Sequence, residues 1–365
     1  MNWPQTSLTQ CLGLRYPIIQ APMAGGPSTP ALVAAVCNAG GLGSLAAGYL
    51  EPEQIRQAIR EIRALTDQPF AVNLFVTETP SVDEARVARA QEVLVPIRQR
   101  LGLQPPAPTA LPARYLPSFT EQLAVILEEA VDAFSFTFGI PKPEELEALK
   151  HAGILTIGTA THLLEAIVLE ESGVDVVVAQ GLEAGGHRAT FLGNPEQGLV
   201  GTMPLVALLT DHLRIPVVAA GGIMDGRGIA AALVLGAAGA QMGTAFLATP
   251  ESGAHPRYKE LLLGGTEITT VLTRAFTGRL ARALRNTYTN ELAPVERELP
   301  EFPVLQALTR DIREAAARLE RTEFMPLWAG QGCPLCRNRP AAELIATWVR
   351  QVEALFDRRG LLSDR

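Results

Sequence analysis

Short apolar runs alternate along this chain with longer segments whose apolar residues recur every three or four positions. Ile55, Ile59 and Ile62, for example, mark one face of a helix that follows Pro52. The short runs are rich in Val, Ile and Ala without strict alternation, as expected for strands that are covered on both faces. They are residues 17–21, 41–45, 70–76, 133–138, 154–158, 174–180, 215–220 and 240–244. This order of elements predicts an α/β fold, a (β/α)8 TIM barrel.

Two segments interrupt this rhythm. Residues 104–117 carry five prolines, which predicts an irregular excursion between the third and fourth strands. Residues 250–337 follow the eighth strand without strand-length apolar runs in series, which predicts a mostly helical lid. We therefore expect the barrel in residues 1–249, a lid or substrate subdomain in 250–337, and the final barrel helix with a tail in 338–365. That helix is predicted over residues 341–356.

Composition and charge exclude several classes of partner. The 365 residues are 47% hydrophobic, which is ample for a buried core, and 31 basic against 38 acidic residues give a net charge of −7. This balance gives no electrostatic reason to bind nucleic acid or an anionic membrane. Residues 1–11 do not resemble a signal peptide, and apolar stretches such as 174–179 are far too short to span a bilayer. With four cysteines and no disulfide framework, we expect a soluble cytoplasmic protein.

Glycine turns end the last two predicted strands. Residues 215–223 form a strand that ends in two glycines and leads into a helix at Asp225, and residues 239–244 again bring a glycine and a hydroxyl to a strand end. Bare backbone amides at a helix start bind anions, and barrels commonly hold phosphate after strands seven and eight. The alternative is that these glycines only make tight turns. The predicted contacts are Ala220, Gly221, Gly222, Met242, Gly243 and Thr244.

Small and amide side chains close other strands. The turn at residues 20–26 has small residues and a proline, so its backbone can approach a flat ring, although it also suits an ordinary turn. Asn73 and Gln180 are polar side chains in apolar strands. Their amides suit the pyrimidine edge of a flavin, or hydrogen bonds to a neighbouring strand. The turn residues expected to contact the ring are Ala21, Pro22, Met23 and Ala24.

His187 lies just past the sixth strand, after Gly185 and Gly186. A glycine loop at the carboxyl end of a barrel strand places an imidazole at the barrel mouth, where it can transfer a proton or bind an anionic substrate. A structural or solvent-exposed histidine is the alternative. No role is assigned to the remaining histidines, which are His151, His162, His212 and His255.

Two other pairs of residues are assigned structural roles. Glu183 and Arg188 flank the His187 loop and could bind substrate, but a salt-bridged loop anchor is the favoured interpretation. Cys333 and Cys336 have the spacing of a redox motif. They lie outside a βαβ unit, and a single pair cannot complete a zinc shell, so we expect a structural pair before the last helix and no metal site.

Several of these segments resemble the nitronate monooxygenases, formerly called 2-nitropropane dioxygenases, over nearly the whole chain. Two of them, residues 135–141 and 327–331, resemble the bacterial class of that family. The segments that carry the resemblance are residues 17–25, 73–75, 135–141, 180–188, 219–223, 241–246, 277–279 and 327–331.

The resemblance implies a barrel that binds FMN without a covalent bond, with Met23, Asn73 and Gln180 near the ring and the glycine turns on the phosphate. It implies that His187 is the active-site histidine, which contacts the nitro group or acts as a base on a neutral nitroalkane. In such enzymes an alkyl nitronate gives an electron to the flavin, and O2 completes the conversion to a carbonyl compound and nitrite without a nicotinamide cofactor.

The chain departs from the family pattern at three positions. Ala189 follows the His-Arg pair where a glycine is more usual, which changes the shape of the loop more than its chemistry. Members that process carboxylate-bearing nitronates place a tyrosine and a lysine in the lid, where this chain has Phe302 and Gln306. The departure argues against a carboxylated substrate.

Three other functions stay open from the sequence. An NAD(P)H-dependent flavin reductase, of the quinone or enoyl-acyl-carrier-protein reductase kind, resembles the same barrel with a similar glycine-histidine loop. A flavin or phosphate-ligand binding protein without turnover is a second possibility, and a barrel that binds a sugar phosphate is a third. The physiological substrate and the oligomeric state are not predicted.

Overall fold

Eight parallel strands form a closed barrel in the computed structural model of the protein, which describes residues 3–78, 81–107, 111–112, 114–264 and 269–357. The strands of these residues are β1 (Ile18–Gln20), β2 (Gly43–Ala46), β3 (Phe70–Phe75), β4 (Ala133–Thr137), β5 (Leu155–Ala160), β6 (Val176–Gln180), β7 (Gly186–His187), β8 (Val217–Ala220), β9 (Gly239–Met242), β10 (Thr270–Thr273) and β11 (Ala281–Leu284). Around the barrel the order is β1-β9-β8-β6-β5-β4-β3-β2. A parallel bridge between Ile19 and Leu42 closes it.

Each of the eight apolar runs overlaps one barrel strand, so the predicted (β/α)8 barrel is confirmed. Side chains that point inward, among them Ile19, Ala71, Ile157 and Val218, pack in a cluster of their own inside the barrel. Leu8 joins this cluster and is fully buried. The interior is therefore a packed core, and only the carboxyl ends of the strands are left to line a site.

Helices surround the barrel and continue into the lid. They are α1 (Ser7–Leu12), α2 (Pro30–Asn38), α3 (Pro52–Leu65), α4 (Glu84–Arg100), α5 (Phe119–Glu129), α6 (Pro143–His151), α7 (Leu163–Glu171), α8 (Thr202–His212), α9 (Gly226–Val234), α10 (Thr244–Leu247), α11 (Pro256–Leu263), α12 (Thr287–Leu292), α13 (Val304–Leu308), α14 (Arg310–Arg318) and α15 (Ala341–Asp357). Ile55, Ile59 and Ile62 of α3 are fully buried, as their spacing predicts. No helix of the described residues is long and apolar enough to cross a membrane.

The lid contains two short strands besides its helices, and the sequence did not predict these strands. β10 and β11 form an antiparallel pair, and β11 also pairs with β7, so that Ala281 lies opposite His187. Both strands are four residues long, and β11 includes Arg282, whose buried guanidinium donates to the Leu182 carbonyl (2.9 Å). These strands are short and partly charged, so they leave no apolar run in the sequence. They form because they pair with residues that are distant in sequence.

Two other sequence predictions about the fold are confirmed. The last helix, α15, begins at Ala341 as expected and packs against α9 and α2, where the final helix of a barrel belongs. The described part of the proline-rich segment 104–117 contains no helix or strand and lies between α4 and α5. Residues 108–110 and 113 of that segment lie outside the described residues.

A buried arginine joins the lid to the barrel. Arg98 of α4 is 1% exposed and donates to the Leu308 carbonyl (2.7 Å) and to the Asp311 carboxylate (2.7 Å). It also donates to Gln91 Oε1 (2.8 Å). One side chain thus ties α4 to α13 and α14, which carry one wall of the cavity described below.

Replacing Arg98 with Met is expected to lower the free energy of unfolding by about 2 kcal/mol, because buried acceptors lose their donor. Thermal unfolding should show this as a fall in Tm of several degrees. Arg86→Met is the control, since Arg86 is an exposed residue of the same helix with a 3.7 Å ion pair to Asp83. Its expected effect is below about 0.5 kcal/mol, and equal losses in the two variants would contradict the anchoring role.

Candidate active site

A cavity of about 680 Å³ lies at the carboxyl ends of the barrel strands and under the lid. All of the predicted site residues except Met242 line it. They are Ala21, Pro22, Met23, Ala24, Asn73, Gln180, Gly185, Gly186, His187, Ala220, Gly221, Gly222, Gly243 and Thr244. Met242 is 1% exposed and packs in the core around the barrel, whereas its neighbour Gln241 lines the cavity. The alternation of side chains along β9 accounts for this difference of one residue.

The turn after β8 has a backbone conformation that requires glycine. Gly221 has a φ of +123° and Gly222 a φ of +69°, conformations that favour glycine. A Cβ on Gly221 would lie 2.7 Å from Thr202 Oγ1 and 3.2 Å from the Ala184 amide nitrogen. The backbone of the turn is therefore packed against its neighbours on one side and borders the cavity on the other.

Glu183 holds this turn through Thr202. The Glu183 carboxylate accepts from the Thr202 amide (2.9 Å) and from the Thr202 hydroxyl (2.7 Å), and that hydroxyl also contacts the Gly221 carbonyl (3.0 Å). Arg188 is 1% exposed and donates to three carbonyls, those of Gly181, Gln180 and Gly198, at 2.7–2.9 Å. The two residues do anchor the loop, but not through the expected salt bridge between them.

The second glycine turn, at Gly243 and Thr244, is completed by the lid. Thr244 Oγ1 accepts from the Gly330 amide (3.0 Å), and the Thr244 carbonyl accepts from Cys336 Sγ (3.2 Å). Both Cys333 and Cys336 are buried free thiols, and burial raises the pKa of Cys336 to about 12. They behave as the structural pair that the sequence predicted.

The two candidate amides are already engaged within the protein. Asn73 Nδ2 donates to Ser135 Oγ on the next strand (3.0 Å). Gln180 Nε2 donates to the His187 carbonyl (3.0 Å), and its Oε1 accepts from the Ala189 amide (2.9 Å). The Asn73 contact with the neighbouring strand matches the alternative that the sequence left open. Gln180 links the end of β6 to β7 and to Ala189 in the loop that carries His187.

His187 is held in an aromatic enclosure. Its ring centroid lies 5.2 Å from that of Trp328, 5.7 Å from Phe138 and 5.9 Å from Phe302. His187 Nε2 lies 2.9 Å from Thr277 Oγ1, so the threonine hydroxyl fixes the orientation of the imidazole. These contacts hold the imidazole at the wall of the cavity.

Burial and two cations keep His187 neutral. Burial, with smaller contributions from Arg279 and Arg313, lowers the pKa of His187 to about 3. The Arg279 guanidinium lies 3.9 Å above the Phe138 ring and donates to the carbonyls of Arg188 and Thr190. A protonated imidazole would therefore be repelled, so at neutral pH His187 is uncharged and can donate one hydrogen bond and accept another.

Several residues that line the cavity were missed by sequence reasoning. They are Tyr49, Tyr258, Thr277, Arg313, Trp328 and Gly330. Most belong to the lid, where chain order gives no hint of which side chains meet the barrel. The segments 277–279 and 327–331, which carry the family resemblance, were the available signals. His255, to which no role was assigned, also borders the cavity and accepts from the Arg257 amide at the start of α11.

The low pKa of His187 predicts a specific dependence of stability on pH. In the unfolded chain the imidazole has a pKa of about 6.5, so between about pH 6.5 and 3 the unfolded state binds the extra proton. The contribution of the neutral His187 to the free energy of unfolding is fully present above about pH 6.5. It is lost as the pH falls below this value, by about 1 kcal/mol per pH unit.

When the pH is lowered from about 7.5 to about 5.5, the Tm of His187→Gln should therefore fall by less than the Tm of the wild type. His212→Gln, an exposed histidine on α8, is the control and should follow the wild type. Parallel pH profiles for all three proteins would show that His187 is not held neutral.

Comparison with known proteins gives consistent results. The family described as nitronate monooxygenase matches residues 5–351. A probable nitronate monooxygenase of Staphylococcus haemolyticus (strain JCSC1435) is 43% identical over 97% of this chain and 99% of its own, and one of Staphylococcus aureus (strain JH9) is 42% identical over the same shares. Among solved structures, nitroalkane oxidase from Streptomyces ansochromogenes has a TM-score of 0.89 at 42% identity, covering 98% of this chain and 100% of that one. FabK from Thermotoga maritima has a TM-score of 0.76 at 31% identity, covering 98% and 99%.

Proposed function

This chain belongs to the nitronate monooxygenase family, and we propose that it is an FMN-dependent enzyme that uses O2 to oxidise alkyl nitronates to carbonyl compounds and nitrite. The observation that carries the proposal is a neutral histidine, His187, fixed at the wall of a cavity that also contains two bare glycine turns. A substrate that is already an anion needs a hydrogen-bond donor there and no strong base.

The residues present fit FMN. The Gly221-Gly222 turn and the Gly243-Thr244 turn offer backbone amides suited to a phosphate. The neighbouring Glu183 carboxylate accepts hydrogen bonds from Thr202, and its charge interacts with the cations Arg188 and Arg282. A Cβ on Gly185 would lie 2.5 Å from the Gly330 amide nitrogen. The backbone of the His187 loop therefore packs directly against the backbone of the lid, with no room for a side chain between them. The volume of about 680 Å³ lies within the range of cofactor sites.

When bound, the flavin supplies the electron acceptor for the nitronate and the reductant for O2. His187 orients the nitronate by donating a hydrogen bond to a nitro oxygen. Thr277 keeps the imidazole in place for this contact, and Phe138, Phe302 and Trp328 exclude water around it. The positive potential of Arg279 and Arg313 favours an anionic substrate over a neutral one.

The same electrostatics favour one of the two roles considered for His187. A group with a pKa of about 3 is a weak base toward a neutral nitroalkane, since efficient general bases have a pKa near the working pH. We therefore assign His187 the hydrogen-bonding role and expect nitronates to be turned over faster than the corresponding nitroalkanes.

The second candidate is an NAD(P)H-dependent flavin reductase, and the similarity to FabK is the observation that supports it. Oxygen uptake with propyl-2-nitronate and with NADH, measured side by side, separates the two functions. We expect uptake with the nitronate and none with NADH. Rapid anaerobic bleaching of the flavin by NADH would contradict the proposal, and a purified protein without flavin absorbance would favour a sugar-phosphate barrel.

His187→Asn should reduce kcat/KM for the nitronate by roughly 10- to 100-fold, the value of a hydrogen bond to an anion. The flavin content should stay unchanged, because no phosphate contact is assigned to this residue. His212→Asn is the matched control and should keep full activity. If the wild type binds flavin but consumes no O2 with any nitronate, the protein is a binding protein without turnover.

Gly221→Ala should weaken FMN binding by about 10-fold or more, because the new Cβ strains a backbone with a φ of +123° and displaces Thr202 Oγ1. The ratio of flavin to protein after dialysis measures the loss. Gly153→Ala is the control, since Gly153 has a φ of +72° but a Cβ added there would meet nothing within 4 Å. Equal flavin loss in both variants would mean that strain alone, and not the turn at the cavity, controls binding.

A further inference from the structure

The turn at residues 277–279 brings a buried hydroxyl to His187. Gly278 has a φ of +84°, and a Cβ on it would collide with the Pro300 carbonyl, so this position requires glycine. Just beyond the turn, Ala281 of β11 pairs with His187 of β7. The turn and the histidine are therefore held in register by the backbone of two neighbouring strands.

The Thr277 hydroxyl has one proton and two neighbours that could accept it. His187 Nε2 lies 2.9 Å from Thr277 Oγ1, and the Arg279 carbonyl oxygen lies 3.4 Å from it. The Arg279 amide donates to the same hydroxyl oxygen (3.3 Å). Thr277 is 2% exposed, and its hydroxyl has no further partner among the described residues. The choice between the two acceptors therefore decides where the imidazole carries its own proton.

The distances favour Nε2 as the acceptor. A separation of 2.9 Å is ordinary for a hydrogen bond, whereas 3.4 Å lies beyond the usual range of a hydroxyl donor. In the opposite arrangement Nε2 would donate to an oxygen that already accepts from the Arg279 amide, and the hydroxyl proton would be left with the longer contact. The bond made by one ring nitrogen determines the tautomer of a histidine. If Nε2 accepts, the single proton of the neutral ring lies on Nδ1.

Nδ1 is the ring nitrogen that remains available to a ligand. It has no hydrogen-bond partner among the described residues, and, unlike Arg188 Nε, it is not sealed within the protein. His187 itself lines the cavity. A protonated Nδ1 offers a donor to an anion, whereas the other tautomer would direct a lone pair at it. Only one of the two tautomers thus suits a nitronate.

We infer that Thr277 sets the tautomer of His187: its hydroxyl donates to Nε2, and the ring proton is held on Nδ1, which donates to a nitro oxygen of the nitronate. The inference rests on the proposed function and names the atom through which His187 meets the substrate. Thr277 is a positioning residue, because it acts through the imidazole and transfers no proton itself. The same arrangement opposes proton abstraction from a neutral nitroalkane, since the nitrogen that faces the cavity has no free lone pair.

Nitrogen NMR of the holoenzyme with isotope-labelled imidazoles tests the tautomer without turnover. The chain has five histidines, and the signals of His187 are those that disappear in His187→Asn. Nε2 couples to both carbon-bound hydrogens of the ring, whereas Nδ1 couples strongly to only one, so the two nitrogens can be told apart. At neutral pH the unprotonated nitrogen of His187 should be Nε2. An unprotonated Nδ1 would overturn the inference.

Thr277→Val removes the hydroxyl and keeps the branched shape of the side chain. It should allow both tautomers of His187 and lower kcat/KM for propyl-2-nitronate by roughly 10-fold, the value of one hydrogen bond to an anion. Thr277→Ser keeps the hydroxyl, so it should retain the wild-type tautomer and most of the activity. Thr120→Val changes an exposed threonine of α5. This control should match the wild type in both measurements.

A loss of activity in Thr277→Val with an unchanged tautomer would show that Thr277 has a structural role alone. If this variant does not fold, the spectra of the wild type and of Thr277→Ser still decide the question. A proton on Nδ1 in a wild type that oxidises no nitronate would reject the proposed function and keep the assigned tautomer. Nitronate oxidation by a wild type with the proton on Nε2 would keep the proposed function and reject the inference.

Discussion

The loop that follows β6 depends on one buried guanidinium. Arg188 donates to three backbone carbonyls, and these contacts fold residues 180–198 back over the carboxyl end of the barrel. Glu183, His187 and Gly185 all lie in this loop, so the turn after β8, the candidate catalytic histidine and the contact with the lid are positioned together. An arginine suits this task because its five donors lie in one rigid plane. Desolvation of that charge is the energetic cost of the arrangement.

The electrostatics of the cavity contrast with those of the whole chain. The protein carries a net charge of −7, yet the side chains near His187 include three arginines: Arg188, which is fully buried, and Arg279 and Arg313, which are partly buried. None of them forms an ion pair with a carboxylate of the described residues. Burial, reinforced by the charges of Arg279 and Arg313, keeps the imidazole neutral. The net charge of the whole chain therefore says nothing about small anionic ligands at this cavity.

The sequence predicts those features that depend on neighbouring residues. All eight strands and the last helix could be located, because buried strands and glycine turns leave local patterns. The β10–β11 hairpin could not, since it is held by pairing with the two-residue strand β7, which is distant in sequence. The side chains of Asn73 and Gln180 show a similar limit. Their burial requires hydrogen-bond partners, but only the structure shows that Ser135, His187 and Ala189 supply them.

The lid completes both ends of the cavity, which bears on how substrate choice and cofactor binding are connected. Gly330 contacts Thr244 at one glycine turn, and Arg313 faces the cavity from α14. The chain between them, residues 314–329, includes Trp328, which packs on His187. Changes in α14 can therefore alter one wall of the cavity while the contact between Gly330 and Thr244 stays in place. If the proposed function holds, the barrel supplies the histidine and the turns that would hold the phosphate, and the lid helices are the elements that can vary with the substrate.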